Sequence, residues 1–290
     1  MRKPILLSLA LVFVAAVFAP LTLAQGTYTQ IDEPDALFGT LCSGINTGGD
    51  IIGYYLVPGN YANGFLLSGG IYTEINYPKA AGTLLTGIND KGMIVGYTTS
   101  GTFGFAYNRE AQTFIRISRY GLFSYTYPYA INNMGIIAGY LSEVTAGFEL
   151  VASGRGKTIA VPGAIETDPF GISASGEVVG IYNNGSGGIL NFSFRRGKYR
   201  QLLIPGAPLA KVYGINPSGT ALVGSYAPSS GVTAGFLYQN DTLTTLQFPG
   251  SKNTSAAGIN ASGDVVGTFY DSTGTSHGFL WNPFLDTAKK

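Results

Sequence analysis

Apolar positions along this chain come in short runs, such as Met93 to Thr98 and Gly104 to Asn108. Each run is closed by Gly, Pro, Asn or Ser. Runs rich in Ile, Val, Tyr and Phe between turn formers predict strands, and no stretch beyond residue 24 carries a helical period. In the clearest segment four runs follow one another: Thr83 to Ile88, Met93 to Thr98, Gly104 to Asn108 and Thr113 to Ser118.

The same four-run unit recurs. Its first run ends at Gly44-Ile45-Asn46, Gly87-Ile88-Asn89, Ala130-Ile131-Asn132, Gly171-Ile172-Ser173, Gly214-Ile215-Asn216 and Gly258-Ile259-Asn260, so the Asn or Ser positions are 43, 43, 41, 43 and 44 residues apart. That period falls in the range of four-stranded propeller blades, about 40–45 residues. Three positions after each Asn or Ser stands a glycine (49, 92, 135, 176, 219 and 263). A short polar side chain that bonds the backbone ahead, followed by a residue free to take positive φ, predicts a tight hairpin. Pro217 suits the second position of such a turn. A short apolar run and a further glycine follow at 53, 96, 139, 180, 224 and 267. The fifth copy has one extra residue before Gly224, which predicts a β-bulge in its second strand. The third run is marked by Gly-Phe at residues 64, 104, 147, 235 and 278, with Leu190 to Phe194 standing in for it in the fourth copy.

The ends decide between a closed ring and an open stack. Tyr28 to Asp32 matches a fourth run, whereas the last copy stops after its third at Trp281. Pairing residues 28–32 with the last copy completes it and removes two open sheet edges. An open solenoid would need capping segments, which the sequence lacks. The expected fold is therefore all-β: a six-bladed β-propeller of four-stranded blades, closed by the N-terminal strand, over residues 25–283, with a tail at 284–290.

This consensus of Gly-Ile-Asn-x-x-Gly-x-Ile-Val-Gly-x-Tyr, with His-Gly-Phe-Leu and Pro-Gly-Ala elements after it, resembles the bacterial extracellular HAF repeat. The fullest matches are Gly258 to Phe269 with His277 to Leu280, and Val161 to Ala164. The resemblance covers about residues 28 to 282. It implies secretion and a repeat β fold but no defined activity, and the histidine of the repeat stands only at His277; Asn63, Phe103, Ala146 and Ala234 occupy the equivalent places.

Composition narrows the function classes. Arg2 and Lys3 precede an apolar run from Ile5 to Phe18, with small residues before Ala24-Gln25, so residues 1–24 read as a secretory leader. The mature protein is expected to be secreted or periplasmic, monomeric and without a stable membrane span. Without the leader, 15 basic residues face 16 acidic ones and no basic run marks a nucleic-acid face. The partner expected is a glycan or a protein. A single cysteine, Cys42, cannot form an internal disulfide and reads as a buried thiol. His277 is the only histidine: a multi-histidine zinc site would need more imidazole or thiolate than the chain offers, and its place inside a repeat motif points to a structural role.

In a propeller the second-to-third strand loops and the connections between blades share one face, and here both sets vary in length. Ligand-binding residues concentrate on such loops. The candidate ligand-binding residues are Tyr54, Tyr97, Tyr140, Tyr182 and Tyr226, which follow the closing glycines, with Glu166, Asp168 and His277. Tyrosines can stack on sugar rings or pack between blades. The carboxylates of Asp32, Glu33, Asp35, Glu166 and Asp168 suit hard cations, so calcium is an admissible cofactor, and they also suit acid–base chemistry on glycosides. No catalytic residue is assigned: a binding or scaffold module is the first expectation, and a secreted carbohydrate-active hydrolase or lyase the alternative.

Overall fold

The computed structural model describes residues 26–59, 61–99, 103–117, 125–151 and 156–283. Residues 1–24, read from sequence as a leader, the tail at 284–290 and the connection from Arg119 to Ser124 lie outside them. Six four-stranded antiparallel sheets form a ring. The first blade comprises Thr40–Ile45, Ile51–Val57, Tyr61–Ser68 and Ile71–Glu74; the second Thr83–Ile88, Met93–Thr98, Gly104–Asn108 and Thr113–Ile117. The third comprises Thr126–Ile131, Ile137–Leu141, Ala146–Leu150 and Gly156–Ile159; the fourth Glu166–Ile172, Val178–Asn183, Ile189–Arg195 and Lys198–Leu202. The fifth comprises Lys211–Ile215, Ala221–Ser229, Val232–Gln239 and Thr242–Leu246, and the sixth Asn253–Ile259, Val265–Tyr270 and Ser276–Asn282. The fourth strand of the sixth blade is the N-terminal Thr27–Ile31, paired antiparallel with Ser276–Asn282 from Thr27 opposite Asn282 to Ile31 opposite Gly278. First strands of neighbouring blades touch all round the channel, sixth against first included.

The core is spread over the seams between blades. Ile52, Leu66 and Ile75 of the first blade pack on Leu85, Ile88, Ile94 and Phe105 of the second, and the pattern repeats at the other seams. Each third strand contributes one fully buried phenylalanine: Phe65, Phe105, Phe148, Phe192, Phe236 and Phe279. Burying such a ring contributes about 2–3 kcal/mol. Phe192 faces Gly180 as Phe105 faces Gly96, so the stand-in strand of the fourth copy keeps its place. Asn191 there replaces the usual glycine and bonds the Ala210 carbonyl and the Val212 amide of the next blade.

The turn asparagines act as expected and also do more. Asn89 Oδ1 accepts the amides of Lys91 and Met93 at 3.0 Å, and the closing glycine Gly92 has φ of 72°. In addition, Asn89 Nδ2 donates to the Asn132 carbonyl of the next blade, Asn132 Nδ2 to that of Ser173, Asn260 Nδ2 to that of Asn46, and Asn46 Nδ2 to that of Asn89. Each such bond contributes about 1 kcal/mol. Aspartate could serve the turn but has no N–H for the neighbour. The circle changes at the fourth and fifth copies: Ser173 has no amide to give, and Asn216 Nδ2 turns to Thr220 Oγ1.

Two register findings bear on the channel. In every blade the first strand is bulged against the second, between Cys42 and Gly44, Leu85 and Gly87, Pro128 and Ala130, Pro169 and Gly171, Val212 and Gly214, and Ala256 and Gly258. The extra residue of the fifth copy makes no bulge in its second strand at that point. It enlarges the turn instead, since Ile215 pairs with Leu222 and Asn216 Oδ1 accepts the amides of both Thr220 and Ala221.

Candidate functional site

Each bulge turns one side chain toward the channel: Ser43, Thr86, Tyr129, Phe170, Tyr213 and Ala257. Blades three to five thus supply aromatics, and blades six, one and two supply small residues. Tyr129 lies 4.9 Å from Phe170, and Phe170 5.4 Å from Tyr213, centroid to centroid. Ser43 and Thr86 donate to the Leu85 and Pro128 carbonyls across their seams. From this layer a cavity of about 100 Å³ runs to the first-to-second strand turns, lined by the six repeat isoleucines and rimmed by Asn46, Asn89, Asn132 and Asn260. None of the candidate ligand-binding residues named from sequence lines it.

The other end of the channel, on the face of the variable loops, gathers five of them. Tyr97 meets Tyr127 edge-on at 5.0 Å, and Tyr127 lies 6.1 Å from Tyr140. Tyr140 Oη donates to Glu166 Oε1 at 3.0 Å. Asp168 adjoins Glu166 on the same strand, and Tyr129 feels Tyr97, Tyr127, Tyr140 and Asp168. Tyr54 completes the row next to Tyr97; burial raises its hydroxyl to about 12. Burial likewise raises Tyr97, Tyr129 and Tyr140, and for Tyr140 the bond to Glu166 adds to it. These phenols are neutral donors at all physiological pH values.

Asp168 is the unusual member. Burial first, and the Glu166 charge second, raise its carboxyl to about 6. No hydrogen bond or ion pair to this carboxylate occurs among the described residues. Lys211, in the first strand of the next blade, is exposed and forms no ion pair among them either. A folded acid that keeps its proton to higher pH than the unfolded chain lowers stability as pH rises from about 4 to about 6, and the deficit persists above that. The full difference corresponds to about 3 kcal/mol, which solvent screening of a half-buried group cuts to roughly 1–2 kcal/mol. Asp168→Asn is therefore expected to stabilise the protein by that amount at pH 7 and to change little near pH 3. Urea titrations at the two pH values check this; equal effects at both would mean that packing, not charge, is responsible.

The remaining three residues lie elsewhere. Side chains alternate along a strand, and the second strands carry Tyr54, Tyr97 and Tyr140 directly after the closing glycine but Tyr182 and Tyr226 one place later, hence on the opposite side. Tyr182 packs against the seam of the third and fourth blades. Tyr226 is buried with its hydroxyl 2.7 Å from Thr245 Oγ1. His277 stacks on Phe269 with its Nδ1 2.8 Å from Asp32 Oδ1 and 3.2 Å from Gln30 Nε2, and its Nε2 3.6 Å from Asp271 Oδ2. It ties the N-terminal strand to the last blade. Glu33 accepts the Asp35 amide, closing a turn. Among the described residues no three His, Cys, Asp or Glu side chains converge as metal ligands do, and no helix is long and apolar enough to cross a membrane. Cys42 is buried, and burial raises its thiol well above the usual range. The sequence reading missed Tyr127 and the bulge aromatics. Their trace is the position three before each repeat Asn or Ser, where Ser, Thr, Tyr, Phe, Tyr and Ala break an otherwise regular pattern.

No protein-family model and no curated protein sequence matches the chain. Solved propellers do. A streptogramin B lyase superposes with a TM-score of 0.52 at 14% identity, over 88% of this chain and 97% of the other. AofleA from Arthrobotrys oligospora gives 0.53 at 10% identity over 89% of each chain. TolB from Acinetobacter baumannii gives 0.52 at 12% identity, over 80% of this chain and 63% of the other. At these identities the likeness establishes the fold alone.

Proposed function

We propose that this protein is an exported, non-catalytic binding propeller of the HAF-repeat kind, which receives a glycan, an envelope component or a protein at the tyrosine-lined channel mouth. One observation carries the reading: Tyr54, Tyr97, Tyr127 and Tyr140 lead in a row to Glu166 and Asp168, on the face where loop lengths vary. Rigid aromatic area beside a few polar groups is the usual make-up of a recognition surface. Melting of the purified protein with calcium, zinc, oligosaccharides and envelope fragments tests it. A ligand at about 100 times its dissociation constant adds roughly 2.7 kcal/mol. Tyr97→Ala and Glu166→Gln are expected to abolish that gain while the unliganded melting temperature moves by only a few degrees. Full retention of the gain in both variants would remove the mouth from consideration.

A hydrolase or lyase reading is favoured by one feature, the raised carboxyl of Asp168 in the company of Glu166. Asp168 at about 6 beside Glu166 can carry a proton near neutral pH, as a general acid must. Turnover of a polysaccharide or lactone that disappears in both Asp168→Asn and Glu166→Gln would establish it.

A further inference from the structure

The Asp168 carboxylate is half-buried, stands next to a second carboxylate and makes no hydrogen bond or ion pair among the described residues, while four tyrosine rings crowd the same channel end. A partly desolvated carboxylate without a partner costs free energy that a bound positive charge recovers. Aromatic rings attract cations through their quadrupoles, most strongly where water is thin. A neutral sugar could give Asp168 a hydroxyl proton but would leave the doubled negative charge uncompensated.

The surrounding face has a matching character. Of the exposed large hydrophobic side chains among the described residues, all but Ile71, Ile115 and Met134 lie at this face, with Leu37, Phe38, Ile165 and Leu209 among the most exposed. Among the described residues its loops and connections add Asp32, Glu33, Asp35, Glu143 and Asp271 to the acids of the mouth, against Lys79, Lys211, Lys252 and the Arg116 guanidinium that lies over Phe103. An apolar, acidic face repels a second copy of itself and an anionic membrane alike. It is complementary to a ligand that is both apolar and positively charged.

We propose that the channel mouth binds an organic cation, an ammonium group on an apolar body, with the charge between Asp168, Glu166 and the rings of Tyr97, Tyr127 and Tyr140. This rests on the reading of the mouth as the ligand site and names the chemistry it accepts. The same chemistry occurs in a free alkylammonium compound and in a methylated or lysine-bearing chain end; the charge and the apolar surround are what both share.

The test is calorimetric titration of the purified protein, at constant ionic strength and pH 7.5, with choline and with its neutral isostere 3,3-dimethylbutan-1-ol, beside a neutral oligosaccharide, cellohexaose. The cation is expected to bind about tenfold or more tightly than the isostere. Asp168→Asn, which keeps the side-chain shape, is expected to erase that preference, and Tyr97→Ala to weaken it. Equal binding of cation and isostere, cation binding that Asp168→Asn leaves unchanged, or no cation binding at all would each overturn the proposal. Cellohexaose bound at the mouth without the cation would overturn it while sustaining the binding propeller; silence from all three probes would count against both.

Discussion

Gly96→Ala is expected to destabilise the protein by about 3 kcal/mol or more, and to do so with nothing exposed at the surface. A Cβ built on Gly96 meets the Leu84 carbonyl oxygen at 2.1 Å and the Phe105 ring at 2.9 Å. The oxygen belongs to the residue two before the bulge, so it is fixed by the strand that shapes the channel. The same collision recurs at Gly53, Gly139, Gly180, Gly224 and Gly267, with oxygens of residues 41, 127, 168, 211 and 255 at 1.9 to 2.1 Å. Relief requires the bulge, the phenylalanine or both to move, and both are packed against the neighbouring blade. Gly135→Ala is the control: its turn has φ of 76° but open space about it, so the expected cost is only about 1 kcal/mol. Urea midpoints of the two variants should differ clearly. Similar midpoints would mean that the bulge carbonyl yields easily.

Removal of the chain through Asp32 is expected to cost as much as the whole fold has to spend, about 5–15 kcal/mol. Five ladder positions are lost with Thr27–Ile31, and Ser276–Asn282 becomes an open edge. Ile31 leaves a seam cluster that includes Cys42, Ile45 and Phe65, and Tyr28 leaves the contact with Phe248 and Phe279. The shortened protein should lose its cooperative unfolding transition, measured by near-ultraviolet circular dichroism against urea. A synthetic peptide of residues 26–33 should restore part of it. A shortened protein that melts like the full chain would show that the first strand merely decorates the ring.

The architecture was readable because each blade repeats the same solution. The copy spacing, the turn glycines and the unmatched runs at residues 28–32 and at Trp281 leave few other ways to close the sheets. Asn89 and its counterparts were legible as turn formers, since that role depends on nearby backbone. In four of them, Asn46, Asn89, Asn132 and Asn260, a second bond crosses to the neighbouring blade, far away in sequence, and the only trace is that asparagine, never aspartate, fills five of the six places. The channel mouth was half legible. Tyr54, Tyr97, Tyr140, Glu166 and Asp168 come together because their strands share one end of the ring, but Tyr182 and Tyr226 sit one residue along, and a one-residue step on a strand reverses the side. Bulges were invisible for the same reason: an extra residue in a first strand shifts its facing without changing its composition, and the one length anomaly that did show, before Gly224, was taken up by a turn.

The bulge ring has a consequence for counting. A ring of six like blades would ordinarily offer six equivalent seats, one per repeat. Here Tyr129, Phe170 and Tyr213 fill one side of the axis, while Ala257, Ser43 and Thr86 leave the other lean. The rotational symmetry of the backbone is thereby cancelled at its centre, and the disc acquires a single azimuth. Whatever docks on that axis meets one orientation rather than six, so the stoichiometry to expect is one guest for each chain.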